Sequence, residues 1–276
     1  MSIRFVSVQG TYNQLSVALF QDQKCLDSIT KTDSHASSNL IPFLDSILKN
    51  NNLSLSDLSF IAVDKGPGAF TSLRVTIATI NGIAFSNKIP LIGINGLEAL
   101  TRQVLASNEN IPNNIQNIVT LLNAYNNDAY FLVSKIANQI ENSTPETQNP
   151  ESQLVGSQNI AESQNIGCQN IDILLEDLKL KFKDQSVLFC GQGSQLYKTN
   201  IKHEFSDQSD FALPSSSRLR RTRRATTDKA VILEEPLLAC AKTIGQMGYK
   251  FWLKKENIEN QIEPLYLKTQ YFAIRK

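Results

Sequence analysis

Residue types that build metal sites and disulfide frameworks are scarce in this chain of 276 residues. Its four cysteines are far apart in sequence and form no C-x-x-C pair, which disfavours a zinc ribbon or a disulfide framework. Its two histidines, His35 and His203, are too few for H-E-x-x-H or any other multi-histidine metal site. We therefore expect this chain to bind no metal.

Long apolar runs and an excess of one charge are also missing. No stretch approaches about 18 uncharged apolar residues, so we expect no transmembrane helix. The start, Met1 to Val8, is too short and too broken for the apolar region of a signal peptide, so we expect no export signal and a cytoplasmic location. The 27 Lys and Arg residues against 26 Asp and Glu leave a net charge of +1, which argues against an electrostatic grip on nucleic acid by the whole surface.

What the chain does have is apolar periodicity, which places strands first and helices later. Three alternating runs within residues 4–32 predict an antiparallel meander. Further buried strands are predicted at 60–63, 90–94, 118–122, 129–134 and 187–190. Helices are predicted at about 38–49, 71–85, 96–106 and 236–250. This order predicts an α/β fold with mixed sheets and packed helices, as in ribonuclease-H-like lobes.

Residues 138–172 differ in composition from the rest of the chain. They are rich in Asn and Gln, contain no aromatic residue, and repeat the letters S-Q-N-I at 157–160 and 163–166. Such a segment buries little apolar area, so it is predicted to be a loop insertion. A partner-binding segment is the alternative.

The sharpest local motif is Gly66–Arg74, which reads G-P-G-A-F-T-S-L-R and lies between a buried strand and a helix. Its glycines permit close backbone approach, and free N–H groups at the start of the helix could hold an anion. It matches neither the P-loop nor the G-x-G-x-x-G pattern. A structural turn is favoured, with phosphate binding as the alternative.

The helix after this motif has two distinct faces. One is an apolar stripe that can face the sheet, formed by Leu73, Ile77, Ile80 and Ala84. The other carries small side chains, which let a second helix approach closely; its members are Val75, Ala78, Thr79 and Gly82. That second helix is either the 38–49 helix of the same chain or a helix of another polypeptide.

Five arginines crowd into seven residues, at Arg218, Arg220, Arg221, Arg223 and Arg224. Such a run is usually a solvated loop, but it could also neutralise the phosphates of RNA. No aromatic residue lies among them, so base stacking is not implied.

Together these motifs resemble the bacterial TsaB (YeaZ) family. The resemblance begins with a signature whose residues here are His35, Gly66, Pro67, Gly68, Phe70, Thr71 and Arg74. It continues through 89–100, Gly191–Gly193 and the final P-L-Y-L-K at 264–268, but it covers neither the 138–172 insertion nor the arginine run.

The resemblance implies an actin-like, sugar-kinase-like ATPase fold of two ribonuclease-H-like lobes. The first lobe is expected from 1–104, joined by the C-terminal part at about 236–276, and the second from 105–235. The implied function is that of a non-catalytic partner, which binds and activates the TsaD-type threonylcarbamoyltransferase that forms N6-threonylcarbamoyladenosine at position 37 of tRNA. A TsaE-type ATPase works with this pair, so ATP and metal are expected on the partners rather than on this chain.

In the family the pairing runs through the first two helices. Here the residues implied to bind the partner are Leu40, Phe43, Leu44, Ile47, Val75, Ala78, Thr79 and Gly82. We also expect tRNA to be reached through the complex and the isolated chain to self-associate weakly through the same helices.

Three departures from the family pattern concern the groove between the lobes. Gln9–Gly10 stands where the family has Asp-Thr, Asn123–Ala124–Tyr125 replaces Asp-Ala-Arg, and Ser72 replaces a glycine. Because a neutral amide is a poor ligand for Mg²⁺, these changes count against the alternative function, an ATP-dependent phosphotransferase of the same fold.

Overall fold

Two mixed β-sheets with helices packed on them make up the described part of the protein, as seen in a computed structural model. The structure describes residues 2–33, 35–107, 111, 115–136, 160–183, 185–205, 229–235 and 237–268. The strands are β1 Arg4–Thr11, β2 Gln14–Gln21, β3 Lys24–Thr32, β4 Phe60–Asp64, β5 Leu91–Ile94, β6 Asn117–Asn123, β7 Asp128–Ile136, β8 Ile160–Asn170, β9 Val187–Cys190, β10 Ala230–Ile232 and β11 Ile258–Glu259. The helices are α1 Leu40–Asn50, α2 Phe70–Asn87, α3 Gly96–Ser107, α4 Ile171–Phe182, α5 Gln192–Leu196, α6 Lys198–Phe205 and α7 Ala241–Lys254.

The first sheet has the strand order β11-β5-β4-β1-β2-β3. The predicted meander is confirmed, since β1, β2 and β3 pair antiparallel in sequence order. Beyond it β1, β4 and β5 run parallel, because α1 and α2 serve as the crossover connections that parallel strands need.

Strand β4 shows how this sheet separates its helices. Alternate side chains of a strand point to opposite faces. Ile61 and Val63 share a core with the buried side chains of α1 and α2, whereas Phe60 and Ala62 lie in the core that contains α7. Helices α1 and α2 therefore cover one face of the sheet and α7 covers the other.

The second sheet has the strand order β10-β9-β6-β7-β8. It shows that part of the predicted loop insertion at 138–172 was wrong, because β8 lies within that range. Residues 160–170 form β8, which pairs antiparallel with β7, and Ile171 begins α4. The Asn- and Gln-rich composition predicted a loop, but the hydrogen bonds between strands use backbone groups, and Asn and Gln residues supply these as well as other residues do. The Asn170 side chain also accepts the Asp172 N–H and so caps α4. Residues 138–159 lie outside the described part of the chain.

One hydrophobic cluster runs through both sheets, by way of α3 and α7. It includes Ile92 and Phe60 of the first sheet, Ile118 and Leu188 of the second, and Leu100 of α3 between them. Helix α3 packs on β6 and β7 of the second sheet and on α7, which covers the first sheet, so the proposed lobe boundary at residue 104 falls inside a helix that joins the two lobes.

Among the helices, α1, α2 and α3 are confirmed close to their predicted bounds. The last helix was predicted from Pro236, but α7 begins at Ala241, after an extended Cys240; Pro236 itself lies outside the described residues. Helices α4, α5 and α6 and the strands β8, β10 and β11 had no counterpart in the prediction. For α4 the signal was available, because Ile171, Leu174, Leu175, Leu178 and Phe182 recur at helical spacing and are buried. Within the described residues, every helix is too short or too polar to span a bilayer.

Candidate functional site

Helix α2 buries one face and exposes the other, as its two sequence patterns predict. Leu73, Ile77, Ile80 and Ala84 are buried in the core of the first sheet. On the opposite side Val75 is 44% exposed and Ala78 and Gly82 are exposed. This outer face consists of small or apolar side chains, so it offers little to hold water.

The open space above Gly82 argues against one of the two neighbours that the sequence allowed, the 38–49 helix. A Cβ atom placed on Gly82 would meet no described atom within 4 Å. Helix α1 therefore does not pack on this glycine, and no described segment covers it. Nearby, Phe85 is 85% exposed, although burying a phenylalanine side chain contributes about 1.5–3 kcal/mol.

On helix α1, three of the residues that were expected to bind a partner are buried within the chain, which contradicts the prediction for them. Leu40, Leu44 and Ile47 lie in the chain's own core, where they pack with residues of β1, β2 and α2. Their helical spacing marked the face that meets the sheet rather than a face for another protein. On α1, apolar surface is presented by Ile41, which is 60% exposed, by the exposed Pro42 and by the half-buried Phe43.

The Gly66–Arg74 motif is held by side chains of the chain itself. Asp64 Oδ1 accepts the Gly66 N–H at 2.8 Å, and Thr11 Oγ1 accepts the Ala69 N–H at 3.1 Å. A Cβ on Gly68 would overlap the Thr11 side chain, so this glycine permits the contact. These two N–H groups already have acceptors, which favours the structural turn over phosphate binding.

At the carboxyl end of β1, where the family pattern has an acidic residue, the structure places the side chain of Gln9. It is fully buried, and its Oε1 accepts a hydrogen bond from Gln14 Nε2 at 3.1 Å. Its own amide nitrogen has no hydrogen-bond partner among the described residues. Tyr12, at the tip of the β1–β2 hairpin, donates to Asn123 O at 2.7 Å and so bridges the two lobes.

Asp64 is the carboxylate nearest to this position in the sheet register, and the sequence reading missed it. It ends the buried strand β4, next to the end of β1, and burial raises the pKa of its carboxyl group to about 7. The signal for it was available, because an aspartate follows Phe60–Val63 directly before the Gly-Pro-Gly turn.

The donor set at the groove does not fit a magnesium–nucleotide complex. Mg²⁺ prefers carboxylate oxygens, whereas Gln9 offers an amide and Asp64 is buried beneath the turn that it holds. In the described part of the chain no three His, Cys, Asp or Glu side chains cluster as metal ligands would.

The remaining candidate residues fall in separate places. His35 is exposed and precedes the short 3₁₀ turn Ala36–Asn39 that leads into α1, and its side chain makes no capping hydrogen bond there. Phe70 and Thr71 begin α2, and the Arg74 guanidinium lies 4.6 Å from the centre of the Phe70 ring. The arginine run at 218–224 lies outside the described residues, so its contact with RNA stays a prediction.

Comparison with known proteins gives one family match over most of the chain. The family model described as "TsaD: tRNA N6-adenosine threonylcarbamoyltransferase" matches residues 30–272. Two crystal structures of YeaZ-like proteins from Pseudomonas aeruginosa superpose with TM-scores of 0.68 and 0.65, at 18% and 19% identity, over 96% of this chain and all of theirs. These superpositions confirm the predicted fold.

Curated relatives match over shorter stretches. The TsaB protein of Buchnera aphidicola (Schizaphis graminum) is 27% identical over 103 residues, which are 37% of this chain and 49% of the relative. TsaB of Haemophilus influenzae is 32% identical over 92 residues, 33% of this chain and 37% of the relative. A threonylcarbamoyltransferase of Syntrophus aciditrophicus is 38% identical over 73 residues, 26% of this chain and 21% of the relative.

The matched stretches thus span half or less of each of these curated relatives. The family model, by contrast, covers almost the whole chain. The chain belongs to the TsaD threonylcarbamoyltransferase family and, within it, to the TsaB (YeaZ) proteins that its sequence motifs resemble.

Proposed function

We propose that this chain is a non-catalytic partner in the formation of N6-threonylcarbamoyladenosine at position 37 of tRNA. It binds and activates a TsaD-type threonylcarbamoyltransferase, and the cytoplasmic complex works with a TsaE-type ATPase and tRNA. The observation that carries the proposal is the uncovered outer face of α2, with open space above Gly82. The names of the TsaB relatives supply the pathway.

The chemistry of this face suits a helix of another protein. Ala78, Thr79 and Gly82 keep the backbone of α2 within close reach, because their side chains are small or absent. Val75 and Phe85 flank them and would lose their water on docking. Together with other exposed apolar residues such as Ile41 of α1, a stable complex would bury about 1,200–2,000 Å² in total.

A second candidate is the transferase itself, because some relatives carry that name. The chain's donor atoms argue against it. A site with two histidine ligands would need both His35 and His203, but His35 precedes α1 beside the first sheet and His203 lies in α6 beside the second. We therefore place the catalytic metal on the partner.

The third candidate, an ATP-dependent phosphotransferase, would have to bind nucleotide between the lobes. Gln9 and Asn123 are neutral where carboxylates would be needed around Mg²⁺. Calorimetric titration of the isolated chain with ATP and Mg²⁺ checks this, and saturable binding would favour the phosphotransferase.

The docking proposal is tested by placing a large side chain on the open face. Gly82→Leu should weaken binding of the TsaD-type partner at least 100-fold in isothermal titration calorimetry, because leucine would keep the two helices apart. The variant should fold normally, since no described atom lies within 4 Å of the new Cβ. Ala106→Leu, on the exposed side of α3, is the matched control and should bind like the parent chain.

Unchanged affinity of Gly82→Leu for the partner would contradict docking through α2. The same pair of variants tests the expected weak self-association. In light scattering, Gly82→Leu should remain monomeric at concentrations where the parent chain and Ala106→Leu begin to dimerise.

A further inference from the structure

The C-terminal segment Ile262–Lys268, named the strap here, runs from α2 to the second lobe. Its first residue is fixed to the middle of α2 by two hydrogen bonds. Asn81 Nδ2 donates to Ile262 O at 2.9 Å, and Ile262 N donates to Asn81 Oδ1 at 3.0 Å. The Ile262 side chain is buried in the same core as the inner face of α2. The strap therefore begins on the helix that carries the proposed docking face.

The middle of the strap follows the Gly-Pro-Gly turn at the start of α2. Leu265 N donates to Lys65 O at 2.7 Å, directly before Gly66. The Tyr266 ring lies 6.0 Å from the Phe70 ring, whose other neighbour is the Arg74 guanidinium. The strap thus contacts α2 at two places, at its first residue Phe70 and at Asn81.

The last described residue of the strap, Lys268, reaches across to the second lobe. Its ammonium donates to Ala124 O at 3.0 Å and to Tyr125 O at 3.2 Å, and it pairs with Asp128 Oδ2 at 2.7 Å. An ammonium group has three N–H donors, so each has an acceptor at this turn.

The turn between β6 and β7 is well suited to such a contact. Tyr125, Asn126 and Asn127 have φ angles of 59°, 55° and 61°, a backbone conformation that L-residues adopt at a cost. A cation that bridges two of its carbonyl groups and Asp128 opposes the opening of this turn. Tyr12 holds the same turn from the first lobe through Asn123 O.

We propose that the strap couples the outer face of α2 to the β6–β7 turn, with Lys268 as the positioning residue. Loss of the Lys268 contacts frees the strap, which in turn loosens Asn81 and Phe70 on α2. Conversely, a displacement of α2 pulls on the turn of the second lobe. That such a displacement follows from partner docking rests on the proposed function, whereas the coupling itself is a property of this chain alone.

Hydrogen–deuterium exchange of the full chain tests the coupling. In Lys268→Met, amides of the 124–128 turn and of α2 around Asn81 should exchange about tenfold faster, while those of β3, whose main contacts are with β2, α1 and α7, stay unchanged. Lys268→Arg should restore slow exchange, because a guanidinium can reach the same carbonyl groups and Asp128. Lys254→Met, which removes an exposed lysine at the end of α7, is the matched control.

Faster exchange at the turn alone, with α2 unchanged, would overturn the coupling. Equal acceleration in β3, whose main contacts are with β2, α1 and α7, would also overturn it, because the loss of protection would then be general. If Lys268→Met does not fold, Asp128→Asn removes only the ion pair and should give the same two-site pattern at smaller amplitude. Binding of the TsaD-type partner is measured separately, so failure of the docking proposal leaves this result interpretable.

Discussion

The groove between the lobes and the outer face of α2 use glycine in opposite ways. Around the groove, a Cβ on Gly68, Gly191 or Gly193 would overlap atoms that are already in place. On α2, a Cβ on Gly82 would meet nothing within 4 Å. Atoms of the chain itself therefore pack against the glycines of the groove, whereas no described residue covers Gly82 on the outer face of α2. This difference favours the outer face of α2, rather than the groove between the lobes, as the surface that binds a partner.

The largest effect is expected from Gly191→Ala in the groove. Gly191 has φ +88°, a conformation that L-residues rarely adopt, and the new Cβ would lie 2.5 Å from Leu121 O. Strain and overlap together should lower the free energy of unfolding by about 2–6 kcal/mol. Urea denaturation measures the change, and a loss below about 1 kcal/mol would show that this wall of the groove has room to move.

An intermediate effect that varies with pH is expected at Asp64. Because its pKa in the folded chain is raised to about 7, ionisation costs the folded state more than the unfolded state. Its contribution to stability is complete at pH values below the unfolded pKa and is lost as the pH rises through about 7.

The variant Asp64→Asn isolates this contribution. Asparagine keeps an oxygen for the Gly66 N–H but does not ionise. Between pH 5 and pH 7 the parent chain should therefore lose roughly 2 kcal/mol of stability relative to Asp64→Asn. Unfolding curves at several pH values measure the difference, and parallel curves for the two proteins would contradict a neutral buried carboxyl group.

The smallest effect is expected at Gly82. A glycine-to-alanine substitution there should raise the free energy of unfolding, whereas Gly191→Ala should lower it. Gly82→Ala should raise the free energy of unfolding by up to about 1 kcal/mol, because alanine favours the helix and meets no neighbour. Urea denaturation beside Gly191→Ala makes the comparison direct. A loss of stability at Gly82 would mean that this face is covered in the chain alone.

Much of this fold follows from patterns that the sequence displays openly. Period-2 alternation at 4–32 gives the meander, and the Gly-Pro-Gly turn marks the passage from β4 to α2. The apolar stripe Leu73, Ile77, Ile80 and Ala84 predicts the buried face of α2 correctly. These features are local, so a single sequence suffices to place them.

What could not be predicted depends on contacts between distant residues. Leu40, Leu44 and Ile47 have the spacing of a helix face, but spacing alone does not tell whether that face meets a sheet or a partner. Strand β8 is paired through its backbone, which composition does not report. Lys268 and Asp128 are far apart in sequence, and only the folded chain brings them together.

The side of the first sheet opposite α2 carries an optical probe. The one tryptophan of the chain, Trp252 of α7, stacks on Phe60 at 4.8 Å, and Phe60 stacks in turn on Phe5 at 4.3 Å. The fluorescence emission of Trp252 should therefore change when α7 separates from the sheet, and it should not change when a partner binds to α2 on the opposite side. A fluorescence titration that shows no change would be the expected outcome of binding there, and a label on α2 would be needed to see it.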